Sequence, residues 1–168
     1  MRENNGFKTA ALHNLGCKVN AYETEAMGQS LLEAGYELVP FDGEADVYLV
    51  NTCSVTNMAD RKSRQMLRRA RKRNPEAVIV AAGCYVQAQA EEILRSGAAD
   101  LVIGNNEKHR LTELLEEYEA SRIPVVCVAD INREAAPYET LSLRKTEEHT
   151  RAFVKVQDGC NQFCSYCI

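Results

Sequence analysis

Three times along the chain a short apolar run ends in a cysteine and passes at once into a helix. Lys8–Leu15 leads to Gly16-Cys17, Asp46–Asn51 to Thr52-Cys53, and the wholly apolar Ala77–Ala82 to Gly83-Cys84. Further apolar segments at Tyr36–Val39, Leu101–Ile103 and Pro124–Val128 add three strands, and helical stripes separate them. The first helix pairs Asn20 with Glu23 at the spacing of a capping box. Its stripe is Thr24, Met27, Gly28, Leu31 and Ala34, and Gly35 stops it. The second helix starts near Thr56 or Asn57 and ends before Asn74-Pro75; the third carries Val86, Ala90, Ile93 and Leu94 on one face, the fourth Leu111, Leu114, Leu115 and Tyr118. Strands alternating with helices at this interval require right-handed crossovers. The expected fold is therefore an α/β domain with an open, mainly parallel sheet and helices on both faces.

That fold gives Cys17, Cys53 and Cys84 equivalent positions, each past the carboxyl end of a strand and before a helix, where open parallel sheets bind ligands. With the common order 2-1-3-4-5, the Rossmann- or flavodoxin-like arrangement, they fall on adjacent strands about 4.8 Å apart. Three thiolates converging there suit one cluster, and the helix amino termini should favour the thiolate form and lower the thiol pKa. The competing reading is core packing, since free cysteine is among the most buried residue types. Cys127, inside Pro124–Val128, reads as a packed strand residue. His13, within a strand, and His109, near a helix start, carry no assigned role.

Seven cysteines form an odd count in a chain without a signal-peptide core, favouring metal ligation over disulfides and a cytoplasmic location. No run approaches a membrane span. At 168 residues the chain suits one domain, expected over 1–129, plus a remainder. Residues 130–150 are polar and irregular and read as a linker. From 151 a second domain begins with an alternating strand, Ala152–Gln157. It runs into Cys160, Cys164 and Cys167, a C-x3-C-x2-C spacing unlike the paired spacings of zinc sites. Three ligands leave one iron of a cubane open; a zinc knuckle with a distant fourth ligand, or reactive surface thiols, are the alternatives.

Net charge is −4, yet Arg61–Arg73 holds eight basic residues and no acidic one. Arg61, Arg64, Arg68 and Arg71 share a stripe, with Ala59, Ser63, Met66 and Ala70 left for packing. Such a rod suits a phosphate backbone; a solvated face paired to carboxylates elsewhere explains the charge equally.

The terminal triad resembles the signature of radical S-adenosylmethionine (SAM) enzymes, in which the open iron chelates SAM and the aromatic before the third cysteine, here Tyr166, lies near the adenine. Together with Gly16-Cys17-Lys18-Val19-Asn20, Asn51-Thr52-Cys53-Ser54-Val55-Thr56, Gly83-Cys84-Tyr85-Val86-Gln87 and Val156-Gln157-Asp158-Gly159-Cys160, the chain resembles the methylthiotransferases. The first and last of these motifs look most like the tRNA enzymes acting on threonylcarbamoyladenosine. The branches for isopentenyladenosine tRNA and for a ribosomal-protein aspartate are the alternatives. The resemblance implies two [4Fe-4S] clusters, one on Cys17, Cys53 and Cys84 and one on Cys160, Cys164 and Cys167, with SAM as cofactor. It further implies a tRNA partner, an electron donor of flavodoxin or ferredoxin type and a sulfur source. The last residues would be the truncated start of a radical SAM partial (β/α) barrel, so the fragment alone is expected to be inactive. Three competitors differ in chemistry. A cobalamin-dependent enzyme should carry Asp-x-His-x-x-Gly, which does not occur; a flavodoxin-like phosphate site needs a richer glycine loop than Gly16–Asn20; an iron–sulfur or zinc scaffold needs no open coordination position.

Overall fold

The computed structural model describes residues 8–130, 141, 155–157, 162, 164 and 165. Six strands form one sheet: β1 (Thr9–Asn14), β2 (Glu37–Leu38), β3 (Val47–Thr52), β4 (Val78–Gly83), β5 (Leu101–Ile103) and β6 (Val125–Cys127). Their spatial order is β2-β1-β3-β4-β5-β6 and every pairing is parallel. The order changes direction at β1, as the sequence reading expects.

Helices α1 (Lys18–Glu33), α2 (Asn57–Arg73), α3 (Cys84–Arg95) and α4 (Leu111–Ser121) cover both faces, with a 3₁₀ turn at Lys108–Arg110 before α4. β3 and β4 are buried at every position, the pattern of parallel strands enclosed on both sides. Alternation divides their side chains. Val47, Leu49, Val78 and Val80 meet Met27 and Leu31 of α1 and Leu111, Leu114 and Leu115 of α4. Tyr48, Val50, Ile79 and Ala81 face Leu67 and Ala70 of α2 and Tyr85, Val86 and Ile93 of α3. Leu67, absent from the expected stripe, is fully buried, and truncating it to alanine should cost about 2–5 kcal/mol.

Helix ends follow local chemistry. Thr56 caps α2 by accepting a hydrogen bond from the Ala59 amide. The expected capping box in α1 is not formed. The helix begins earlier, Cys17 is its N-cap, and Asn20 and Glu23 point inward from within it. Ala34, expected on the buried stripe, is exposed beyond the last helical residue. α3 breaks at Gln89 (φ −136°, ψ 32°), separating a first turn carrying Cys84 from the part that packs through Ile93.

The expected linker and second domain fall mostly outside the described residues. Of the strand expected at Ala152–Gln157, residues 155–157 are described and lie in neither helix nor strand, and the others fall outside the described residues. No helix among the described residues is long and apolar enough to cross a membrane.

Candidate metal centre

The three strand-end cysteines occupy one edge. β1 and β3 are in register through Asn14 and Asn51, and β3 and β4 through Thr52 and Gly83, so the next residues on each strand emerge side by side. Cys17 is exposed, Cys53 is buried and Cys84 is half-buried. Two glycines allow the close approach. Gly16 has φ +125°, and a Cβ there would stand 2.9 Å from both Cβ and Sγ of Cys53. Gly83 has φ +98°, and its Cβ would stand 2.5 Å from Asn51 Oδ1 and from the Thr52 carbonyl. A side chain at either position would fill the space against Cys53 or force β3 away from β4.

Buried asparagines replace the missing side chains as polar ties. Asn20 Nδ2 donates to the carbonyls of Leu15 (3.0 Å) and Thr52 (2.9 Å), binding the loops after β1 and β3 together. The Cys17 thiol donates to Asn20 Oδ1 at 3.6 Å. Asn51 Nδ2 donates to the Asn20 carbonyl (3.0 Å) and Thr24 Oγ1 (3.1 Å), while its buried Oδ1 has no hydrogen-bond partner among the described residues. The hydroxyl of Ser63, buried on α2, accepts from the Cys53 amide and donates to the Cys53 carbonyl. Cys53 is thereby held by its backbone, leaving its sulfur unconstrained by these contacts.

Electrostatics correct one expectation. The Cys84 thiol pKa is raised, not lowered, and burial is the largest cause. Opposing that burial are the Lys108 ammonium and a hydrogen bond from Asn105. Lys108 is itself buried, its Nζ 2.6 Å from Glu23 Oε2 and 3.2 Å from Asn105 Oδ1. The other Glu23 oxygen lies 3.0 Å from Lys155 Nζ. Gln87 fastens the neighbouring loops, accepting from the Asn105 amide and donating to the Ala129 carbonyl.

Among the described residues no three His, Cys, Asp or Glu side chains gather around a point suited to a single metal ion. A multi-iron cluster makes a different demand, since each ligand sulfur binds its own iron and the sulfurs stand apart. Three thiols on adjacent strand ends, two glycines that clear the space and a buried oxygen lacking a partner fit that demand.

Cys127 lies in β6 as expected, half-buried, with Arg110 Nη1 3.2 Å from its sulfur and Glu107 beside it; burial and that carboxylate push its pKa up. Of the terminal triad, Cys164 is exposed, while Cys160, Cys167 and Tyr166 lie outside the described residues. His13 lies in β1 against Phe41, and His109 in the turn before α4.

The basic helix divides into two groups. Arg64 donates to the Tyr85 hydroxyl (2.9 Å) and lies over its ring. Arg71 pairs with Asp100 (2.7 Å) and donates to the carbonyls of Pro75 and Ala77. Arg69 and Arg73 pair with Asp42. Arg61, Lys62, Arg68 and Lys72 are exposed and form no such pair among the described residues.

Sequence reading misses the pairing of Glu23 with Lys108, the place of Asn105 beside it, and the structural use of Asn20 and Asn51. The available signal is a glutamate followed by Ala26, Met27 and Gly28 on the core side of α1, and a lysine just before the buried stripe of α4.

Fold and site together define an open parallel α/β domain that presents three thiols at its carboxyl edge. A family model described as "Uncharacterized protein family UPF0004" matches residues 9–104, more than half of the chain. The threonylcarbamoyladenosine tRNA methylthiotransferase MtaB of Bacillus subtilis is 46% identical over 95% of this chain and 35% of its own length. The protein of that name from Aquifex aeolicus is 42% identical over 94% of this chain and 38% of its own. The tRNA-2-methylthio-N(6)-dimethylallyladenosine synthase of Cereibacter sphaeroides is 38% identical over 91% and 35%. The chain belongs to the UPF0004 family and is similar to the amino-terminal third or so of these tRNA methylthiotransferases. It spans about a third of the length of these relatives.

Proposed function

We propose that this chain is the amino-terminal, auxiliary-cluster part of a cytoplasmic radical SAM methylthiotransferase that adds a methylthio group to carbon 2 of threonylcarbamoyladenosine in tRNA. The convergence of Cys17, Cys53 and Cys84 at one sheet edge, with Gly16 placed against Cys53, carries the reading. Each thiolate would ligate one iron of a [4Fe-4S] cluster. When bound, such a cluster supplies an exchangeable iron at which the sulfur to be transferred is carried.

The chain's own residues position and enclose. Asn20 locks two of the three loops, Ser63 fixes the Cys53 backbone, and exposed Cys17 leaves the outer side of the site open to a partner. Cys160, Cys164 and Cys167 would hold the second cluster and Tyr166 would lie near SAM. The boundaries follow: 1–129 for the α/β domain, 130–150 for the linker, 151–168 for the start of the radical SAM domain. Arg61 and Arg68, with Lys62 and Lys72, offer phosphate contacts to the tRNA, whereas Arg64 and Arg71 are engaged internally. An electron donor and a sulfur source complete the partners.

Two measurements test this. After anaerobic reconstitution, Cys17→Ala/Cys53→Ala/Cys84→Ala should lose about four irons per chain; unchanged iron in a folded variant refutes cluster ligation. In the source cell, the same changes should abolish the methylthio form of threonylcarbamoyladenosine and leave its precursor, read by nucleoside mass spectrometry. Loss of the isopentenyladenosine derivative instead would move the protein to that branch. Intact methylthio nucleosides would overturn the assignment.

A further inference from the structure

Lys155 stands shortly before Cys160 in the sequence, yet its ammonium lies 3.0 Å from Glu23 Oε1, and the two side chains are 2% and 3% exposed. The next residue, Val156, is 84% exposed. That inverts the usual order, in which the valine is buried and the lysine meets water. The segment, in neither helix nor strand at 155–157, thus reaches the α/β domain through a charged side chain. The carboxylate it reaches is already built into that domain. Glu23 points inward from α1, and its other oxygen takes the Lys108 ammonium at 2.6 Å, which in turn lies 3.2 Å from Asn105 Oδ1. Beside Glu23 on the same helix, Tyr22 donates to the Leu141 carbonyl at 2.8 Å. Consecutive residues of α1 therefore hold two parts of the chain that lie 119 and 132 residues away and follow β6. Burying charge is costly, and a hydrophobic contact would often stabilise as well. A shared carboxylate adds direction, because each ammonium is satisfied only at hydrogen-bonding distance and angle. From Lys155 at most about 18 Å of extended chain leads to Cys160, and from Glu23 about 9 Å of helix leads back to Cys17.

We propose that Glu23 is a positioning residue: by sharing its carboxylate between Lys108 and Lys155, it latches the segment that leads into Cys160, Cys164 and Cys167 onto the helix that starts at Cys17. The latch itself is independent of any metal. Its use, to keep the two cysteine sets within reach of one another, rests on the methylthiotransferase reading. Lys108 orients the carboxylate from within the domain, and Lys155 brings the incoming segment to it.

Competitive acetylation of the chain, read lysine by lysine by mass spectrometry, tests the latch without iron. A buried amine reacts only through local opening, so Lys155 and Lys108 should label at least about tenfold more slowly than exposed Lys62 and Lys72. Glu23→Gln should bring Lys155 to the rate of Lys62. Because that change leaves Lys108 buried without its carboxylate, Lys108→Met/Glu23→Gln keeps the domain interior neutral, and Lys155, able to withdraw to water, should label at the exposed rate there too. Lys155 that labels as fast as Lys62 in the parent, or stays protected in the folded double variant, overturns the inference. The positioning role is read in the full-length protein in its source cell. Lys155→Met should lower the methylthio nucleoside roughly tenfold or more with iron per purified chain unchanged, and Lys155→Arg should restore it. Parental nucleoside levels in Lys155→Met, or iron lost in step with them, overturn that role. If Cys17→Ala/Cys53→Ala/Cys84→Ala keeps its iron, the ligation reading fails, while acetylation still decides the latch.

Discussion

The two edges of the sheet are built for opposite ends. At the amino edge, polar groups close on one another: Asp46 accepts from the amide and hydroxyl of Thr9, and Asn74 donates to the Ala45 carbonyl. Asp100 there accepts from the Ile79 amide while pairing with Arg71. At the carboxyl edge, two glycines adopt positive φ, Cys17 is exposed and Asn51 Oδ1 is buried without a partner among the described residues. One edge is saturated. The other keeps unused coordinating capacity in a rigid frame, and exceptions of that kind mark function rather than stability.

The contrast breaks most severely at Gly83. Gly83→Ala adds a Cβ that clashes with backbone oxygen of β3 at a φ unfavourable to any side chain. We expect a loss of at least about 3 kcal/mol in urea unfolding, or no folded protein. A variant of near-parental stability would show that β3 and β4 can part locally and that the edge is not rigid.

Arg71→Ala attacks the saturated edge. It removes a partly buried ion pair and two donations to carbonyls, and should cost about 2 kcal/mol. Its signature is separability: stability falls while reconstituted iron per chain stays at the parental value. A parallel loss of iron would mean the two edges are coupled.

How far the sequence reveals this depends on whether the signal is local. β3 and β4 read as continuous apolar runs because both faces are covered, and the cysteine edge follows from parallel topology alone. Glu23 reads as half of a capping box because its real partner lies 85 residues away. Arg64 and Arg71 look like members of a uniform cationic stripe, since charge spacing on a helix says nothing about Tyr85 or Asp100 arriving from other elements. The Cys84 thiol should gain from a helix start by its position alone, but burial depth is a property of the packed fold.

The division within α2 supports a smaller effect. Arg61→Ala/Arg68→Ala should leave unfolding nearly unchanged, within about 0.5 kcal/mol. If those side chains meet tRNA phosphates, the slope of log affinity against log salt should fall by roughly one for each phosphate no longer neutralised. Arg69→Ala, whose partner is Asp42, provides the comparison. Equal slopes in all three proteins would remove α2 from the interface.

The smallest effect lies at His13, the penultimate residue of β1, one position short of the carboxyl edge. Burial first, and then the Arg69 charge, lower its pKa from the ordinary 6.5, with Asp42 opposing. The unfolded chain therefore takes up this proton at higher pH than the folded chain does. Stability from this group is complete above 6.5 and declines as pH falls from there through the lowered folded value. Chemical unfolding between pH 7.5 and 5.5 should show a shallow loss that His13→Gln reduces. Asp42→Ala should steepen it in the His13 protein, because it removes the carboxylate that favours the protonated ring while freeing Arg69 from its pair. A pH slope unchanged by both substitutions would place the titration elsewhere.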